Sequence, residues 1–136
     1  MINDPAVLLD IVRQWSALRS LCRSSHRSGM VGRVFVNETP PEELYNLPFV
    51  LAYAVLDQVL DELVDQGAFP KPSGKPTLAA KATASRTHLP WVNYGSVDAG
   101  RIARNEVAHE AKLRGKTECL GFVDDIEREL KAWGIL

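Results

Sequence analysis

Apolar positions recur at helical spacing in four places along the chain. Asp4 followed by Pro5 marks a start, because the carboxylate can accept a free backbone amide and proline loses nothing where no internal bond exists. Leu8, Ile11, Val12, Trp15, Leu18 and Cys22 then step by three and four residues as far as "SSHRSG", which predicts a first helix over about 5–24 with Gly29 as an exit. The broadest apolar face runs from Pro48 to Gln66, where Val50 or Leu51, Tyr53, Leu56, Leu60, Leu63 and Val64 point one way and Gly67 ends the run. Ser96 can cap a third helix, with Asp98 near its positive end, that runs to about Arg114 before Gly115. Thr117 can cap a fourth, in which Leu120, Val123, Ile126, Leu130 and Trp133 keep the helical step until Gly134.

Two stretches break this pattern. In "MVGRVFVNETPPEE", Val31, Val34, Phe35 and Val36 suit a short strand, but a strand needs a sheet, and Pro40 and Pro41 end any regular element. A docked loop with a helical turn near "PEELYN" is therefore expected. From Pro70 to Pro90, "PKPSGKPTLAAKATASRTHLP" is too poor in large apolar groups to build a core, so residues 70–95 read as a long connection. Within it "TLAAKATAS" suits either a short surface helix or a mobile excursion. The expected architecture is all-α: one domain over 1–136, a small bundle of four main helices with a long connection before the third.

Composition agrees with a single folded unit. The 136 residues are 46% apolar and 24% charged, and the mean hydropathy is -0.11. No stretch reaches the roughly 18 apolar residues that a membrane span needs, and "MINDPAVLLD" lacks the basic start and apolar core of an export signal. A cytoplasmic protein without a membrane partner is expected. Cys22 and Cys119 fall in apolar-periodic segments, the setting of buried free thiols rather than a disulfide.

The net charge of -1 hides an uneven layout. Arg13, Arg19, Arg23, Arg27 and Arg33 occur with no acid between Ile11 and Asn37, and Lys71, Lys75, Lys81 and Arg86 with none between Gly67 and Val97. A local anion-binding surface is compatible with that layout.

The richest candidate chemistry lies in "RNEVAH", residues 104–109. Projected on a helix with Arg104 at the origin, Ala108 falls at about 40°, Arg101 at about 60°, Lys112 at about 80°, Asn105 at about 100° and His109 at about 140°. No carboxylate enters this arc. Ala108 leaves room for a ligand between arginine and histidine. A guanidinium can hold two phosphate oxygens, an imidazole can exchange a proton near neutral pH, and Asn105 can orient either one. These groups could position an RNA phosphate, assist 2'-hydroxyl attack and offset the transition-state charge. Spacing alone leaves open a plain polar face, noncatalytic anion binding and catalysis. Two arcs facing each other across a two-fold axis would make a deeper basic cleft, so a homodimer is expected.

"RNEVAH" resembles the arginine, polar residue, three variable residues, histidine signature of HEPN domains, which are small, all-helical and often dimeric. The resemblance implies a metal-independent endoribonuclease of a toxin-antitoxin or antiviral system. By that likeness Arg104 would hold the scissile phosphate, His109 would transfer a proton and Asn105 would support them, while Arg101 and Lys112, from the arc itself, are expected to bind RNA. It also implies an antitoxin or regulatory protein as a partner, although Ala111 stands where one branch of the family has a tyrosine. Some members of the family are noncatalytic, so the alternative is a dimeric nucleic-acid-binding or regulatory interaction domain.

Other candidates are fewer. His26, between Arg23 and Arg27, could join a phosphate surface or simply be a solvated helix end. His88, Trp91 and Tyr94 could stack single-stranded bases or dock the connection onto the bundle. No histidine, cysteine and carboxylate cluster has metal spacing, and "SGKPT" lacks a complete phosphate loop, so neither metal nor cofactor is expected.

Overall fold

The computed structural model describes residues 1–23, 27–38 and 40–136. Among them lie five α-helices: α1 (Pro5–Arg23), α2 (Asn46–Asp65), α3 (Leu78–Ser85), α4 (Tyr94–Glu110) and α5 (Lys116–Ala132). A two-stranded antiparallel hairpin, β1 (Arg27–Val31) and β2 (Val34–Glu38), separates α1 from a 3-10 turn at Glu42–Tyr45 that runs straight into α2. His26 lies outside the described residues.

The four expected helices all form, with ends set by local chemistry. The Asp4 carboxylate accepts the Ala6 amide at 2.9 Å and starts α1. Gly67, at φ 84°, ends α2 in a left-handed turn, with Ala68 N–H donating to Leu63 O and Gly67 N–H to Val64 O. Gly134, at φ 70°, closes α5 with the same pair of bonds, from Ile135 to Leu130 and from Gly134 to Lys131.

Several expectations change. Asn93, not Ser96, caps α4, its side chain accepting the Ser96 amide at 3.1 Å. Gly115, not Thr117, is the N-cap of α5, and no side chain caps it. The expected loop holds the hairpin, because two short strands supply each other's partner: Met30 pairs with Phe35 and Val31 with Val34 around Gly32, at φ 63°. Gly29 is a strand residue opposite Val36. The helical turn near "PEELYN" is present as the 3-10 turn.

Helix α2 is the axis of the bundle. Phe49, Ala52, Tyr53, Val55, Leu56, Val59, Leu60 and Leu63 are all buried, so most of its circumference meets other helices. Ile11, Trp15 and Leu18 of α1 and Val123, Ile126 and Leu130 of α5 complete the core. The connection is not a bare excursion, since α3 buries Leu78, Ala82 and Ser85 and is clamped by Lys81. The Lys81 ammonium is buried against the carboxylates of Asp57 and Asp61, the second at 2.6 Å. Burial pulls its pKa down, and the two carboxylates outweigh that and raise it. Cys22 and Cys119 are buried and free, and burial raises both thiols, Cys119 to about 11. Among the described residues no helix is long and apolar enough to cross a membrane.

Candidate functional site

The motif occupies the second half of α4, and other elements set where it sits. At its start, the buried Glu129 carboxylate of α5 accepts the amides of Val92 at 2.7 Å and Asn93 at 2.6 Å. At its middle, the Tyr53 hydroxyl donates to Val97 O at 2.7 Å, and Gly100 lets the helices meet. A Cβ on Gly100 would lie 1.9 Å from the Tyr53 hydroxyl and 2.7 Å from a Phe122 ring carbon. Beyond its end, the buried Asn46 amide closes on Arg114 from both sides, donating to its carbonyl at 2.8 Å and accepting its N–H at 2.9 Å. These contacts make α2 and α4 antiparallel and place the first turns of α2 beside the motif.

Helix α4 ends four residues before the expected boundary at Arg114. Ala111 takes a left-handed conformation, φ 53°, and it and Lys112 both donate their N–H to Glu106 O. His109 is therefore in the last turn, and Lys112 lies beyond the helix, where its projected place in the arc does not apply.

The buried stripe of α4 is Val97, Gly100 and Ala103, with Val107 partly buried. Arg104 flanks that stripe: its side chain is half-buried, and its Nε is out of solvent with no hydrogen-bond partner among the described residues. His109 is exposed, Asn105 is half-buried and Ala108 is open to solvent. Five residues of helix and about 140° of rotation separate Arg104 from His109, and among the described residues no hydrogen bond joins them.

The arc is also less free of acid than the projection implies. Asp98 projects to about 120°, inside it, and accepts from Arg101 Nε at 2.9 Å. Lys112 lies 3.7 Å from Glu110, with both groups exposed. Arg114 pairs with Glu106 at 2.5 Å and Glu118 at 3.1 Å. Arg104 alone of the motif's neighbouring arginines has no ion pair among the described residues. Arg101 and Lys112, expected to bind RNA, thus carry partly neutralised charge.

At the end of the bundle where Asn46 meets Arg114, Leu44 of the 3-10 turn and Leu47 and Leu51 of α2 are exposed by 54%, 55% and 38%. Leu113, 53% exposed, belongs to the same end of the bundle through the Asn46–Arg114 clamp.

The other sequence candidates fare differently. Trp91 is docked, its Nε1–H donating to Ser85 Oγ at 3.1 Å and its ring edge-on to Trp133 and Tyr94. His88 is exposed, with Nδ1 3.1 Å from Thr87 Oγ1. Arg86, read from sequence only as a charge, lies over the Tyr94 ring at 4.8 Å. Among the described residues no group of three or more histidine, cysteine or carboxylate side chains is placed to hold a metal ion. Asn46 and Glu129 carried no sequence signal, because each bonds to a segment far along the chain, Asn46 to Arg114 and Glu129 to the amides of Val92 and Asn93. No protein-family model, curated protein or solved structure matches the chain.

Proposed function

We propose that the chain is a metal-independent endoribonuclease of the HEPN type, cleaving RNA at a site completed by a second copy, in a toxin-antitoxin or antiviral setting. The observation that carries this reading is the state of Arg104, a half-buried guanidinium without a carboxylate partner among the described residues, on the helix whose last turn carries an exposed histidine. An unmatched guanidinium at a protein surface is suited to a phosphate. The exposed leucines at the start of α2 offer an apolar seat for the second copy.

In this mechanism Arg104 holds the scissile phosphate and offsets its growing charge. One histidine takes the proton of the 2'-hydroxyl as its oxygen attacks phosphorus. The His109 of the other copy gives a proton to the departing 5'-oxygen, leaving a 2',3'-cyclic phosphate and a 5'-hydroxyl. Asn105 orients the phosphate or the ring.

The test is single-stranded RNA incubated in EDTA with wild-type protein, Arg104→Ala and His109→Ala. Cyclic-phosphate products from the wild type, with each variant slower by about 100-fold or more, are expected. Diverse RNAs left intact, or both variants cutting as fast as the wild type, would overturn the assignment. The divergence of Arg104 and His109 in one copy favours a second reading, a noncatalytic dimeric domain that binds nucleic acid or a regulatory protein. On that reading Arg101, Arg104 and Lys112 substitutions weaken association while no strand is cut.

A further inference from the structure

The face of α4 that carries Arg104 continues toward the start of the helix. Tyr94, Arg101 and Ala108 are seven residues apart, and such positions drift by only about 20° per step, so the three form one row. Arg104 stands beside that row, one turn after Arg101. At the far end the Arg86 guanidinium, contributed by the residue after α3, covers the Tyr94 ring at 4.8 Å. The ring is braced from behind by Trp91, edge-on with centroids 5.1 Å apart, and Trp91 in turn by Trp133. Arg86 is exposed, so its guanidinium is within reach of a ligand at the surface. The row therefore has a guanidinium over an aromatic ring at one end, a guanidinium at its middle and the unmatched Arg104 at the other. Its carboxylate is Asp98, which is held by Arg101.

We propose that this row is a track for single-stranded RNA, with one base stacked on the Arg86 guanidinium over Tyr94 and the backbone passing Arg101 to reach Arg104. Planar stacking surfaces interleaved with cations are what unpaired bases and their phosphates require, and a duplex, whose bases are already stacked, cannot use the platform. Tyr94 and Arg104 are ten residues apart, about 15 Å along the helix. That distance spans about four nucleotides at a stacked rise of about 3.4 Å. The assignment rests on Arg104 as the phosphate end of the site, and it adds a binding subsite remote from the chemistry.

The experiment is fluorescence anisotropy with the full chain and a labelled 2'-O-methyl oligoribonucleotide of about twelve nucleotides, long enough for the track and unable to undergo 2'-hydroxyl attack. Arg86→Ala and Tyr94→Leu are expected to weaken binding about tenfold, the size of one lost stacking contact. Tyr94→Phe keeps the ring and should bind as the wild type does. Arg13→Ala, which removes an equal charge from the exposed side of α1, should change affinity by less than about twofold. Arg86 is exposed, so its removal leaves the core intact even where Tyr94→Leu fails to fold. Wild-type affinity in Arg86→Ala, a loss no larger than that of Arg13→Ala, or no binding of the oligonucleotide at all would overturn the track. Arg86-dependent binding without cleavage of unmodified RNA keeps the track and removes the ribonuclease reading. Cleavage with undiminished affinity in Arg86→Ala does the reverse.

Discussion

Ala111 is the one non-glycine residue with positive φ among the described residues, at 53°. A Cβ in that conformation costs roughly 1–2 kcal/mol relative to glycine. Helix α4 nevertheless stops there, because Asn46 holds Arg114 outside the helix and the chain must turn before reaching it. Ala111→Gly should therefore stabilise the protein by about 1 kcal/mol and raise its melting temperature by about 4 °C, read by thermal unfolding. An unchanged or lowered melting temperature would contradict the strain. This residue also marks a limit of sequence reading. Gly115 looked like the stop of the third helix and serves instead as the cap of the next, and nothing local to "HEAKLRG" signals the reach of Asn46 from 68 positions away. Arg104 shows the same limit. Projection gave its angle correctly and its neighbours as open arc, but which side of the helix is buried was decided by Gly100 and Tyr53.

At the scale of elements, α4 crosses α2 at a contact that tolerates no side chain at Gly100. Tyr53 is fully buried and cannot swing away from an added methyl, so Gly100→Ala should cost about 3 kcal/mol in denaturant unfolding. Tyr53→Phe alone should cost about 1 kcal/mol for the bond to Val97 O. Because the added methyl meets that hydroxyl first, the double variant should cost less than the sum of the two, a coupling that a mutant cycle measures. Strict additivity would mean the helices separate by another route. The long helices were legible because their apolar faces are broad enough to fix period and existence. The hairpin and α3 were legible only as one of two alternatives. Each is short, and each is stabilised by a partner that periodicity does not reveal: β2 for β1, and the carboxylates of α2 for Lys81.

Across the whole molecule, α1 and α5 are joined by a polar seam. Glu127 accepts Trp15 Nε1–H at 2.9 Å and two bonds from Arg19, whose other contact is Asp124 at 2.5 Å. The Arg19 bond, helped by Trp15 and opposed by burial, lowers the Glu127 pKa from 4.5 to about 2. A carboxyl depressed on folding contributes stability that is whole above its unfolded pKa and is lost as pH falls through the folded one. Wild-type melting temperature should therefore drop between about pH 4.5 and 2. Glu127→Gln should start lower and show a shallower drop over the same range, and equal slopes would remove Glu127 from the acid response. Asp124 and Glu127 are taken up by this seam, and among the described residues no carboxylate pairs with Arg86 or Arg104. The helix that carries the motif is pinned outside its own length, by Glu129 ahead of it and Asn46 behind it. A beam held at both ends does not depend on the residues along its open side. Exposed positions such as Ile102 and Ala108 are thus free to change without unfolding the protein, which is the condition under which a surface can change what it recognises while its scaffold stays the same.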